Sequence, residues 1–126
     1  MSGRDRATPL SFPGERSVNP VSVQFVDGVF VSASKEGDWW GSTIYLDESS
    51  SATGPWTTVA KLTPSERCNG CNTYFASLMP WRDDDGAFAV ALSNNAWDMR
   101  NVAYRHPWIY RPAFMRAGAG SRGSPC

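Results

Sequence analysis

Asp27-Gly28-Val29-Phe30-Val31-Ser32-Ala33 returns 58 residues later as Asp85-Gly86-Ala87-Phe88-Ala89-Val90-Ala91. In each copy an apolar run leads into Asp-Gly and a second apolar run leaves it. That is a hairpin signal, because Asp and Gly tolerate the positive φ that a tight two-residue turn demands. Working outward, seven segments rich in Val, Ile, Phe, Tyr and Thr read as strands: 21–26, 29–34, 42–47, 56–62, 73–79, 87–93 and 108–115. Ile44-Tyr45 finds an echo in Ile109-Tyr110, one strand beyond each hairpin. No window carries apolar residues at helical spacing over three turns. The chain reads as all-β, with each strand following the last in simple antiparallel order.

Composition agrees with that reading. Aromatic residues make 13% of the 126, and eleven Gly and nine Pro punctuate the strands. Twelve basic residues balance twelve acidic ones without a basic run, so neither nucleic acid nor an anionic membrane is an expected partner. No stretch approaches the roughly 20 apolar residues of a membrane span. Met1-Ser2-Gly3-Arg4-Asp5-Arg6 lacks the apolar region of a signal peptide. If the chain belongs to a secreted or cell-envelope protein, that signal lies elsewhere.

The repeat divides the chain into residues 1–17, disordered or a remnant of a preceding unit; 18–63, a first four-stranded unit; 64–116, a second; and 117–126, a disordered tail. Four strands repeating at this length suggest two consecutive blades of a β-propeller, the second lacking its outer strand. Such repeats bury their faces against neighbours, so a pair reads as a C-terminal fragment that self-associates through open blade edges.

Cys68-Asn69-Gly70-Cys71 is one CxxC without a second pair, and His106 is the single histidine. Zinc usually takes four ligands, so a loop disulfide between Cys68 and Cys71 is expected instead, with no cofactor and no metal. A thioredoxin-like role would need a βαβ setting that is not apparent. Asp83-Asp84-Asp85 lacks the spaced acids of a calcium loop and reads as a solvated turn.

Strand parity sorts the connections onto two ends. One end carries plain acidic or Ser/Gly turns. The other gathers Asn19, Asp38, Trp39, Trp40, Arg67, Asn72, Asn94, Asn95, Trp97 and Asp98. Indole faces stack on sugar C–H patches, amides and guanidinium satisfy hydroxyls, and carboxylates do acid–base work. Asp38 and Asp98 are the candidate catalytic residues; the other eight are candidate substrate contacts. Each has a plainer role open to it: Trp39 or Trp40 in the core, Asn94-Asn95 as a turn, Asp38 and Asp98 as caps.

Ser51-Ala52-Thr53-Gly54-Pro55-Trp56 resembles an outer-strand turn of five-bladed propeller glycosidases. Ala91-Leu92-Ser93-Asn94-Asn95-Ala96-Trp97 with Tyr110-Arg111-Pro112-Ala113-Phe114 resembles the last blade of bacterial propellers of unknown function that include endo-D-arabinanases. The resemblance spans residues 19–115 and implies a part of a glycoside hydrolase acting on extracellular polysaccharide. A non-catalytic carbohydrate-binding propeller and an inactive truncated fragment are the alternatives.

The CxxC expectation is directly measurable. Mass analysis of the peptide holding Cys68 and Cys71, without reduction, should show two hydrogens fewer than the dithiol form. Bound zinc or two alkylatable thiols would overturn it.

Overall fold

A computed structural model of the chain describes residues 10–16, 18–36, 43–63, 71–96, 98–118 and 124–125. Four strands, β1 (Val18–Val26), β2 (Val29–Glu36), β3 (Ile44–Ser49) and β4 (Thr57–Leu62), form one antiparallel meander. A second meander holds β5 (Cys71–Arg82), β6 (Phe88–Ala96), β7 (Ala113–Ala117) and the two-residue β8 (Ser124–Pro125). Between β6 and β7 lie a seven-residue helix, α1 (Met99–Arg105), and a 3-10 turn at Pro107–Tyr110.

The two Asp-Gly hairpins differ in build. Asp27 and Gly28 both take positive φ, 52° and 84°, which gives a turn whose twist matches the flanking strands. The second hairpin closes with Gly86 N–H on the Asp83 carbonyl and Asp83 N–H on the Ala87 carbonyl, so only Gly86 needs positive φ. Strand β5 also spends three residues between Leu78 and Arg82 where β6 spends one, since Leu78 faces Val90 and Arg82 faces Phe88. Pro80, which cannot donate to a ladder, sits in that irregularity.

Side chains alternate across each sheet, and burial follows the alternation. Val26, Val31, Ala33, Ile44, Leu46, Ala60 and Leu62 share the near face of the first sheet. Ala76, Leu78, Phe88, Val90, Leu92, Met115 and Ala117 share the near face of the second. Together they make one core, with β5 packed on β1 and β2. Each fully buried Leu, Ile, Val or Phe contributes about 1.5–3 kcal/mol. The Ser22 hydroxyl accepts from the Leu78 N–H, and Arg82 reaches back to Asp27 at 2.9 Å and Glu48 at 3.6 Å.

The repeat shows which faces meet. Phe30 and Ser32 correspond to Phe88 and Val90, yet the former pair lies on the rear face of its sheet and the latter on the near face. The sheets therefore pack head to tail, near face of the first on the counterpart of its own rear face, rather than as mirror partners.

That rear face carries an unusual polar layer. Asp47 is fully buried there, and Arg16 Nη2 donates to both its oxygens at 2.7 Å while the Thr58 hydroxyl donates at 2.6 Å. The guanidinium lies 3.7 Å from the centre of the Tyr45 ring, and Phe12 stacks on Trp56 at 5.4 Å. Residues 10–16, part of the stretch read as disorder or a remnant, thus lie on the β3–β4 half of this face. Trp56 is placed by Gly54, whose φ is 93° and on which a Cβ would come within 2.9 Å of the indole.

Several sequence expectations are corrected. Ile109-Tyr110 is not the counterpart of Ile44-Tyr45: it lies in the 3-10 turn, and β7 begins only at Ala113. Pro112 precedes it and holds the chain out of regular pairing until then. The tail is not wholly without structure, since Ala117 ends β7 and Ser124–Pro125 pairs with Arg116 and Met115. The second sheet thus has a two-residue fourth strand where none was expected.

Removing the Arg16 charge by Arg16→Met should strand the Asp47 carboxylate and lower unfolding free energy by about 3–5 kcal/mol. R16M/D47N should recover most of that loss. Urea denaturation of the three proteins checks both expectations, and a cost within error for the single variant would refute the first.

Candidate functional site

The two ends of the paired sheets have opposite chemistry. At the hairpin end Asp27, Glu48, Asp83 and Asp85 are engaged by arginines. Asp83 Oδ1 accepts from the Asp85 and Ala87 N–H groups at 3.0 and 2.9 Å, and Arg116 pairs with both Asp83 and Asp85. Arg82 caps the same end, its guanidinium 3.8 Å from the Phe88 ring centre and donating to the Gly86 carbonyl at 3.0 Å. Among the described residues no group of three metal-binding side chains forms, and Asp83-Asp84-Asp85 is held as a turn by its own backbone and by Arg116.

At the opposite end the strands run further than expected, which relocates several candidates. Asn19 lies in β1, Cys71 and Asn72 lie in β5, and Asn94 and Asn95 lie in β6 rather than in a loop. Asn72 faces Asn95 across the β5–β6 ladder, with Thr73 opposite Asn94. β1 runs beside β5 with their hairpin ends together, so Asn19 belongs to this same end. The Asn94 amide donates to the Ile109 carbonyl at 3.4 Å, which ties β6 to the 3-10 turn. Its side chain is a brace for the connection between β6 and β7.

Asp98 is exposed at the start of that connection. Its carboxylate accepts from the Asn101 amide at 2.7 Å and from the Asn101 N–H at 3.4 Å, the geometry of a residue capping α1. Asp38, Trp39, Trp40, Arg67, Cys68 and Trp97 lie outside the described residues.

The connection also carries side chains beyond the candidate contacts and acids. Tyr104 is 90% exposed, and Arg100, Arg105, His106 and Arg111 are exposed around it in sequence. The His106 ring lies 5.6 Å from that of half-buried Trp108. Ile109 is buried and anchors the turn. The available signal was the length of the connection: sixteen residues between β6 and β7, too many for a plain turn. The helix itself was not legible, since seven residues cannot display a sustained period.

Comparison of the chain with protein-family models, with curated proteins and with solved structures gives no match. Among the described residues no helix is long and apolar enough to cross a membrane.

The hydrogen bond from Arg116, followed by the Ala87 N–H, holds the Asp83 carboxyl below its ordinary value of 3.8. A folded value below the unfolded one means that this contribution is present above pH 3.8 and is lost as pH falls through the lowered value. A carboxyl titration followed by NMR should place the Asp83 midpoint under 3.8, and Arg116→Gln should raise it. A midpoint unmoved by the substitution would contradict the assignment.

Proposed function

We propose that the chain is a pair of β-propeller blades from a carbohydrate-binding protein of the cell envelope or extracellular space, with the ligand at the end opposite the hairpins. Head-to-tail packing of repeated meanders supports the blade reading, because each sheet presents to the next the face opposite the one that its own predecessor would cover. The observation that carries the functional reading is Tyr104, an almost fully exposed aromatic ring with exposed Arg100, Arg105 and His106 within four residues of it in sequence. An open ring of this kind stacks on a sugar face, and guanidinium and imidazole donors meet its hydroxyls. Asn19, Asn72 and Asn95 occupy strand positions toward the same end.

Binding is favoured over hydrolysis. Glycosidases use two carboxylates, one on each side of the scissile bond. Asp98 is engaged with Asn101 as a cap, which removes it from an evident catalytic role. A hydrolytic role would rest on Asp38 with an acid from another blade.

Soluble oligosaccharides titrated against the protein, with NMR line broadening as readout, test the proposal. Tyr104→Ala and Trp40→Ala should each weaken binding by about 1–3 kcal/mol, judged from the area such rings bury. Tyr104→Ala should leave the melting temperature unchanged, since that ring packs on little. No binding to any glycan, or unchanged affinity for both variants, would end the proposal.

A further inference from the structure

The molecule carries, at its two outer faces, both halves of an interface that it already makes internally. On the rear of the first sheet, Val23 and Phe25 are 40% and 62% exposed, and Phe25 leans on Phe30 with ring centres 4.8 Å apart. On the rear of the second sheet, Ala89, Ala91 and Phe114 line up with Arg116, and Phe114 is 46% exposed. The repeat matches Ala89 and Ala91 to Val31 and Ala33, which are wholly buried in the internal interface. The rear of the second sheet is thus the counterpart of the face that does the covering. The rear of the first is the counterpart of the face that is covered.

The ionic positions make the match specific. Register places Phe25 opposite Phe30 as Arg82 stands opposite Phe88, so Phe25 and Arg82 are equivalent. Glu48 pairs with Val31 and Arg116 with Ala89, which makes those two equivalent as well. Inside one molecule Arg82 reaches across to Asp27 and Glu48. Between molecules the roles exchange: an aromatic ring, Phe25, would meet a cation, Arg116, at the same place. Arg116 is 39% exposed along its side chain and pairs with Asp83 and Asp85, and a guanidinium is the cation that most often stacks on an aromatic ring. Residues 10–16 lie over β3 and β4, and the internal contact uses β5 on β1 and β2. The equivalent intermolecular contact uses β1 on β5 and β6, away from that cover.

We infer that the chain associates head to tail with further copies of itself, the Val23–Phe25–Phe30 face of one copy seated on the Ala89–Ala91–Phe114–Arg116 face of the next. Such an interface is heterologous, so it closes into a ring of copies or runs on as a filament. The inference rests on the head-to-tail packing of the sheets and not on carbohydrate binding.

Sedimentation equilibrium on the 126-residue chain, with no glycan present, tests it. The wild type should grow with concentration past twice the monomer mass of 13.8 kDa. V23S/F25S and Phe114→Lys should each be monomeric alone, with melting temperatures close to the wild type. Mixed in equal amounts, they should form a dimer and stop there, because each retains the half that the other has lost. If Phe114→Lys fails to fold, Ala91→Gln on the same face replaces it. A wild type that stays monomeric at its solubility limit would overturn the inference. So would single variants that still assemble, or a mixture of folded variants that stays monomeric.

Discussion

One dry interior shared between two sheets sustains everything else in this molecule. Val31, Ala33, Ile44 and Leu46 on the first sheet share one buried core with Leu78, Phe88, Val90 and Leu92 on the second. A single four-stranded meander would leave one apolar face in water and would be marginal by itself. Packing against the second sheet removes that cost and also sets direction, because the repeat presents unlike faces to each other. The Arg82 contacts to Asp27 and Glu48 then fix the sheets at their hairpin end.

The polar layer behind the first sheet departs from the repeat for a physical reason. Positions that hold Val90, Leu92 and Met115 in the second sheet hold Ser32, Ser34 and Asp47 in the first. A sheet could not cover those groups without leaving the carboxylate unpaired. A short segment carrying one arginine can, at the expense of buried polar atoms: Arg16 Nη1, the Ser32 and Ser34 hydroxyls and the Trp56 N–H find no partner among the described residues. The two sheets are repeats in backbone but not in the chemistry of that face.

Much of the architecture was legible because strand signals are local. Alternation and the Asp-Gly pairs located both hairpins and the order of strands, with boundaries off by a few residues. The Ile109-Tyr110 echo misled because two apolar residues before a proline suit a 3-10 turn as well as a strand. The site was less legible. Asn72, Asn94 and Asn95 looked like loop residues by composition, yet ladder pairing carried β5 and β6 through them. Tyr104 gave no signal because a lone aromatic in a polar stretch has no period. Arg16–Asp47 and Arg82–Glu48 join residues 31 or more positions apart, and nothing local in a chain announces such pairs.

The two-residue turn at Asp27-Gly28 sets a limit on how such a chain can diverge. Because side chains alternate with a period of two, adding one residue to β1 or β2 there would exchange the apolar near face for the polar rear one. That turn is closed to insertions. The connections at the other end, seven residues between β2 and β3 and sixteen between β6 and β7, meet strands whose register is already fixed elsewhere. Change in their length costs little beyond loop entropy. Descendants of this sequence would therefore keep that turn constant and vary at the opposite end, so new specificities would arise by lengthening loops on a frame that cannot itself drift.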